Sequence, residues 1–216
     1  MLKTLAWKES RELLPLVALA AVAQLLFYFP TELFTGSYNS SEDQIPFLSS
    51  SLQNWLLIVG GAAGVALGFW QTTGELHRGT FLFLLHRPID RATVFAVKLC
   101  VGVAITLLAV GVPIFGYALW AAIPGTHASP FYWSMTVPVW LLWFRLPLFY
   151  LGAFLSGLRP GRWIGSRALP LLGTPLLFLI LYVGQIWPLT TLVVTLALEA
   201  AYVYAIFFIA ATRDYS

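Results

Sequence analysis

TVFAVKLCVGVAITLLAVGVPIFGYALW, residues 93–120, holds one charged side chain, Lys98. A helix crosses the hydrocarbon core of a bilayer with about 20 apolar residues, so this run reads as a membrane helix. Its surplus length and its internal Pro113 point to tilt or a kink. Five further runs meet the same test: Leu13–Phe29, Leu52–Trp70, Tyr132–Leu158, Ala168–Gly184 and Pro188–Ala211. Tyr132–Leu158 is also over-long and contains Pro138 and Pro147. No run alternates as a strand would, so a barrel is not supported. The whole chain is 59% hydrophobic and 10% charged, with a mean hydropathy of +0.82. Soluble domains carry about 25% charged residues. The reading is an all-α integral membrane protein, one transmembrane domain over residues 1–216, with six membrane helices.

Leu13–Phe29 follows Lys3, Lys8 and Arg11, as in a signal peptide, but it ends in LLFYFP, where a cleavage site needs small residues. It therefore reads as a retained helix. Lys and Arg mark every second connection. They occur at the N-terminus, at Arg78, Arg87 and Arg91, at Arg159, Arg162 and Arg167, and at Arg213, while the connections between hold none. By the positive-inside rule both termini lie in the cytoplasm, and the chain is a multi-pass protein of the cell (inner or plasma) membrane.

Residues 1–12 form an amphipathic piece. Leu2, Leu5, Ala6 and Trp7, with Leu13 and Leu14 beyond, suit lipid, while Lys3, Lys8, Glu9, Arg11 and Glu12 suit water. That pattern reads as a helix lying in the interface; the alternative is an extension of the first membrane helix with snorkelling lysines.

GELHRGTFLFLLHRPIDR, residues 74–91, interrupts the apolar pattern. Thr72 or Thr73 suits the N-cap of a short helix with Glu75 in its first turn. Leu76, Phe81, Leu84 and Leu85 supply an apolar side, Arg87 before Pro88 ends the helix, and Asp90 suits the N-cap of the next one. The expected element over 72–90 is a short cytoplasmic helix with its polar face outward.

Glu75, Gly79, Thr80, Leu84, Leu85, Pro88, Arg91 and Lys98 together resemble a stretch of the type-2 permeases of ATP-binding cassette (ABC) transporters. In those permeases it lies between the second and third of six membrane helices and forms the coupling helix that docks on the ATPase. WKESRE, with Trp7, Lys8, Glu9 and Arg11, is similar to the N-terminal connecting helix of the same family. The resemblance implies an ABC ATPase subunit as partner, a second permease chain in a homodimer or heterodimer, and coupling through Glu75, Arg78, Gly79, Thr80, Arg87, Pro88 and Arg91. The short connection GQIWP leaves little room for the outer re-entrant hairpin of many family members.

Gly60, Gly64 and Gly68 repeat at the spacing that lets helices pack closely, within the bundle or between subunits. Arg145 and Glu199 lie at comparable depths in their runs, so an intramembrane charge pair is expected. His77, His86 and His127 lack metal-ligand spacing with one another or with Cys100, the single cysteine, which reads as a packing residue. No P-loop is present, so ATP hydrolysis belongs to another chain. No HExxH, GxSxG or intramembrane carboxylate cluster argues for an enzyme. No cofactor and no nucleic acid is expected. Two alternatives remain: a non-transporting membrane anchor or assembly subunit for a cytoplasmic partner and, behind it, an intramembrane enzyme, for which only Arg145 and Glu199 lie deep enough.

Overall fold

A computed structural model describes residues 2–33, 47, 50–77, 90–125, 130–159, 166–183 and 187–212. Among these, no strand occurs. The helices are α1 (Leu2–Leu33), α2 (Ser50–Phe69), α3 (Arg91–Ala121), α4 (Val137–Arg145), α5 (Pro147–Leu158), α6 (Leu169–Val183) and α7 (Pro188–Thr212). Four stretches are long and apolar enough to cross a membrane: Leu52–His77, Arg91–Ala121, Trp133–Leu158 and Pro188–Thr212; Leu169–Ile180 is a shorter apolar helix. Leu14, Leu19, Leu26, Ile58, Leu108, Val112, Leu172, Leu179, Val193 and Phe208 are all exposed on the outside. So much apolar surface matches lipid and would be a liability in water.

α1 runs as one continuous helix from Leu2 to Leu33, with no break at residue 13. It continues through Pro15, which is exposed and leaves only the Arg11 carbonyl without its usual donor. Its register explains the continuity. Leu5, Glu9, Leu13, Ala20 and Gln24, three or four residues apart or at multiples of that spacing, are all buried on one side.

The fourth apolar run is disturbed where the prolines lie. A 3-10 turn at Trp133–Thr136 leads into α4, Pro138 occupies its first turn, and the α-helical bonding is interrupted for one residue at Leu146, before Pro147. Leu146 keeps helical angles, so that Trp133–Leu158 remains one apolar helix. Pro113 and Pro175, by contrast, sit inside α3 and α6. Two basic residues tie the end of α5 to the residues just before α6. Arg167 donates to the carbonyls of Ser156 and Gly157 at the end of α5, and Arg159 donates to the carbonyl of Ser166. Cations at a helix C-terminus also suit its dipole.

Among the described residues, two large apolar clusters and a small one around Leu5 and Val94 make up the interior. One large cluster gathers Leu13, Leu67, Phe95, Leu99, Tyr150 and Phe154 with Ile206. The other gathers Phe47, Leu56, Val110, Ile114, Tyr117, Leu142 and Leu146 with Phe178. α2 and α5 form the most extensive contact and α1 and α3 the next. The first is made by Gly60, Gly64 and Gly68, which face α4–α5 of the same chain. A Cβ on Gly64 would stand 3.2 Å from the Tyr150 nitrogen, and one on Gly68 would stand 2.6 Å from the Tyr150 carbonyl oxygen. On Gly60 it would meet the Leu146 side chain.

Gly68→Val is therefore expected to destabilise the bundle by about 1–3 kcal/mol, as overpacking does. Gly61→Ala, whose nearest neighbours are at an ordinary 3.6 Å in Phe149, should be tolerated. Thermal unfolding of both variants in detergent tests the contrast.

Candidate functional site

The chain stays helical beyond α2 through a π-helical turn, Trp70–Gly74, and an α-helical turn, Glu75–His77. Thr72 does not cap a new helix; its hydroxyl donates to the Gly68 carbonyl one turn back, the local bond that competes with capping. The π-turn widens the helix by one residue, and Gln71, Thr72 and Glu75 are all buried around it.

At this level Lys98 is completely buried. A buried ammonium must be paired to remain charged, and two carboxylates pair it. Lys98 Nζ lies 2.8 Å from Glu9 Oε1 on α1 and 2.8 Å from Glu75 Oε2 after the π-turn. The other oxygens are engaged too. Gln71 Nε2 donates to Glu9 Oε2 at 3.0 Å, and Lys8 Nζ donates to Glu75 Oε1 at 3.1 Å. Lys8 also lies 3.7 Å from Glu12 at the rim. The Tyr150 hydroxyl donates to Gln71 Oε1 at 2.5 Å and lies 3.2 Å from the Lys98 carbonyl. Gly102 leaves room for that phenol; a Cβ there would overlap the Tyr150 ring and hydroxyl. The chain of contacts runs Tyr150–Gln71–Glu9–Lys98–Glu75–Lys8, from the interior to the surface.

Two ammonium groups face two carboxylates in this network, so its core is neutral. Burial by itself would lower the pKa of Lys8, but the charges of Glu75, Glu9 and Glu12 outweigh that, and the pKa is raised. Lys8 thus stays a cation at neutral pH. Among the described residues no group of His, Cys, Asp and Glu is placed to hold a metal ion. What the network can do is fix the positions of α1, α3, α5 and the π-turn relative to one another.

The sequence reading located part of this. Glu75 belongs to it, but inward rather than on an outward polar face. Arg91 is exposed at the start of α3. Asp90 occupies the N-cap position without a side-chain cap bond, and its carbonyl accepts from Val94. Arg78, Gly79, Thr80, Arg87 and Pro88 lie outside the described residues. Glu9 and Lys8, expected to be wet, are drawn into the network, and Gln71 and Tyr150 were not singled out at all. One signal was available: Lys98 sits seven residues inside an apolar helix, and a charge there demands a partner.

Arg145 and Glu199 do not pair. The Arg145 guanidinium stands 6.0 Å from the centre of the Phe178 ring on α6, at the outer limit of a cation–π contact. Glu199 is half-buried, its Oε1 without a hydrogen bond, and no ion pair among the described residues joins the two. A comparable position along an apolar run does not fix the direction in which a helix turns a side chain. Cys100 is exposed on α3 rather than packed.

No protein-family model, curated protein or solved structure matches this chain.

Lys98→Met should cost roughly 3–5 kcal/mol of stability, because it strands two buried carboxylates. Adding Glu9→Gln should restore a large part of that loss in detergent unfolding, whereas independent sites would give additive losses. Arg145→Met and Glu199→Gln, lacking a mutual contact, should be additive in the same assay.

Proposed function

We propose that this chain is the permease subunit of an ABC transporter, coupling ATP hydrolysis in a separate ATPase chain to movement of a substrate across the membrane. The observation that carries the reading is where the two resembling stretches meet. WKESRE contributes Lys8 and Glu9, the second stretch contributes Glu75 and Lys98, and all four form one ion network. Two separate sequence likenesses to one family thus converge on one structural element. Residues 78–89, which include the coupling residues Arg78, Gly79, Thr80, Arg87 and Pro88, begin directly after Glu75–His77 and end just before Arg91, the first residue of α3.

A partner pressing on that segment would load Glu75 on one side and the helix of Lys98 on the other. The network would hand the displacement to α1 through Glu9 and to α5 through Gln71 and Tyr150. In this reading the chain crosses the membrane six times, with both termini and residues 78–89 in the cytoplasm. The alternation of Lys and Arg supports that orientation. The transporter would hold two such chains or one with a related chain.

The test is purification of the tagged chain in mild detergent from its own source. A P-loop ATPase should co-purify, and Gly79→Trp should release it, or abolish stimulation of its hydrolysis, while leaving the permease folded. If no P-loop ATPase accompanies the chain, the reading fails. If one is bound and its hydrolysis drives no transport in vesicles, the chain is an anchor.

A further inference from the structure

Because Glu9 must face Lys98, the opposite side of α1 is also determined. At 100° per residue, Lys3, Trp7, Arg11 and Leu14 fall on that opposite side in one row. All four are exposed, Trp7 at 71% and Leu14 at 62%. Neither Lys3 nor Arg11 has an acidic partner among the described residues, whereas Lys8, on another face, is taken by Glu75.

We propose that the Lys3–Trp7–Arg11 row is a docking surface for anionic phospholipid headgroups in the leaflet at the N-terminal end of α1. Charge is the first argument: two unpaired cations flank one exposed aromatic ring, and lipid phosphates are their complement. Level is the second. The Gln71–Glu9 bond sets Glu9 against the π-turn, so Trp7, on the far side of the same helical turn, lies at the level of the π-turn, where Trp70 is also exposed. Toward the far end, Tyr132, Trp133 and Trp187 are exposed. Along α3, Lys98 to Trp120 spans about 33 Å at 1.5 Å per residue, close to the thickness of the hydrocarbon core. Exposed tryptophans separated in this way mark the two interfaces of a bilayer.

Continuity is the third argument. The same face of α1 proceeds without a break into exposed Leu14, Ala18, Val22 and Leu25. A surface that runs from apolar to aromatic to cationic along one continuous helix follows the profile of a leaflet from tails to headgroups. Lys3 stands about 6 Å beyond Trp7 and Arg11 about 6 Å within it, and the long Arg11 stem can carry its charge back to the headgroup level. A soluble partner covering the whole row would have to reach past Trp7 into the tails. This inference does not depend on the identity of any ATPase.

The test is native mass spectrometry of the full chain in detergent, titrated with equal amounts of phosphatidylglycerol and phosphatidylcholine. The wild type should bind the anionic lipid preferentially. K3Q/R11Q should lose that preference by about tenfold or more, as expected when two basic side chains leave an anionic surface. K3R/R11K, which keeps both charges, should retain it. An unchanged preference in K3Q/R11Q would overturn the proposal, and so would an equal loss in K3R/R11K. Loss of a co-purifying protein with lipid preference intact would identify a protein-docking face and overturn it as well.

Discussion

An ammonium group with no access to water has to be neutralised where it stands, and Lys98 imposes that condition on the entire bundle. Its two carboxylates come from segments far apart in the chain, Glu9 near the start and Glu75 after the π-turn. Satisfying it sets the rotation of α1, which then runs as one helix with Leu5, Leu13 and Ala20 on the same inward side. The remaining lone pairs recruit Gln71 and Lys8, and Gln71 recruits Tyr150. A buried ion pair is weak as a source of net stability, since desolvation consumes much of the attraction. Its clearest effect here is to select one arrangement of four segments over any in which a charge would be stranded.

The network depends in turn on close backbone approach. Tyr150 reaches Gln71 because Gly64 and Gly68 let α2 lie against the backbone of α5, and because Gly102 leaves the phenol a place beside α3. Small residues are how helices in lipid gain contact, since lipid tails are as apolar as the side chains and offer no hydrophobic drive. The two halves of the bundle are held differently as a result. Around Tyr117, Leu142 and Phe178 the interior is apolar and aromatic. Around Lys98 it is ionic beside an apolar cluster that includes Phe95 and Phe154. The proposed coupling would enter through the ionic part, because Glu75 lies just before residues 78–89 in the chain.

The amino-acid sequence by itself determined that the chain is helical and apolar, where four long apolar helices run, and that the run from Tyr132 to Leu158 carries prolines able to disturb it. These follow from hydropathy and from the missing N–H and fixed φ of proline, which act locally. It also marked residues 74–91 as unlike the rest, and with them Glu75. Only the tertiary structure decided which way the helices face. Period and length place a residue at a depth and on a face, but the azimuth of that face is set by contacts with residues far along the chain. Arg145 and Glu199, at comparable positions in their apolar runs, form no ion pair, while Glu9, which looks like a surface residue among Lys8, Arg11 and Glu12, is buried against Lys98.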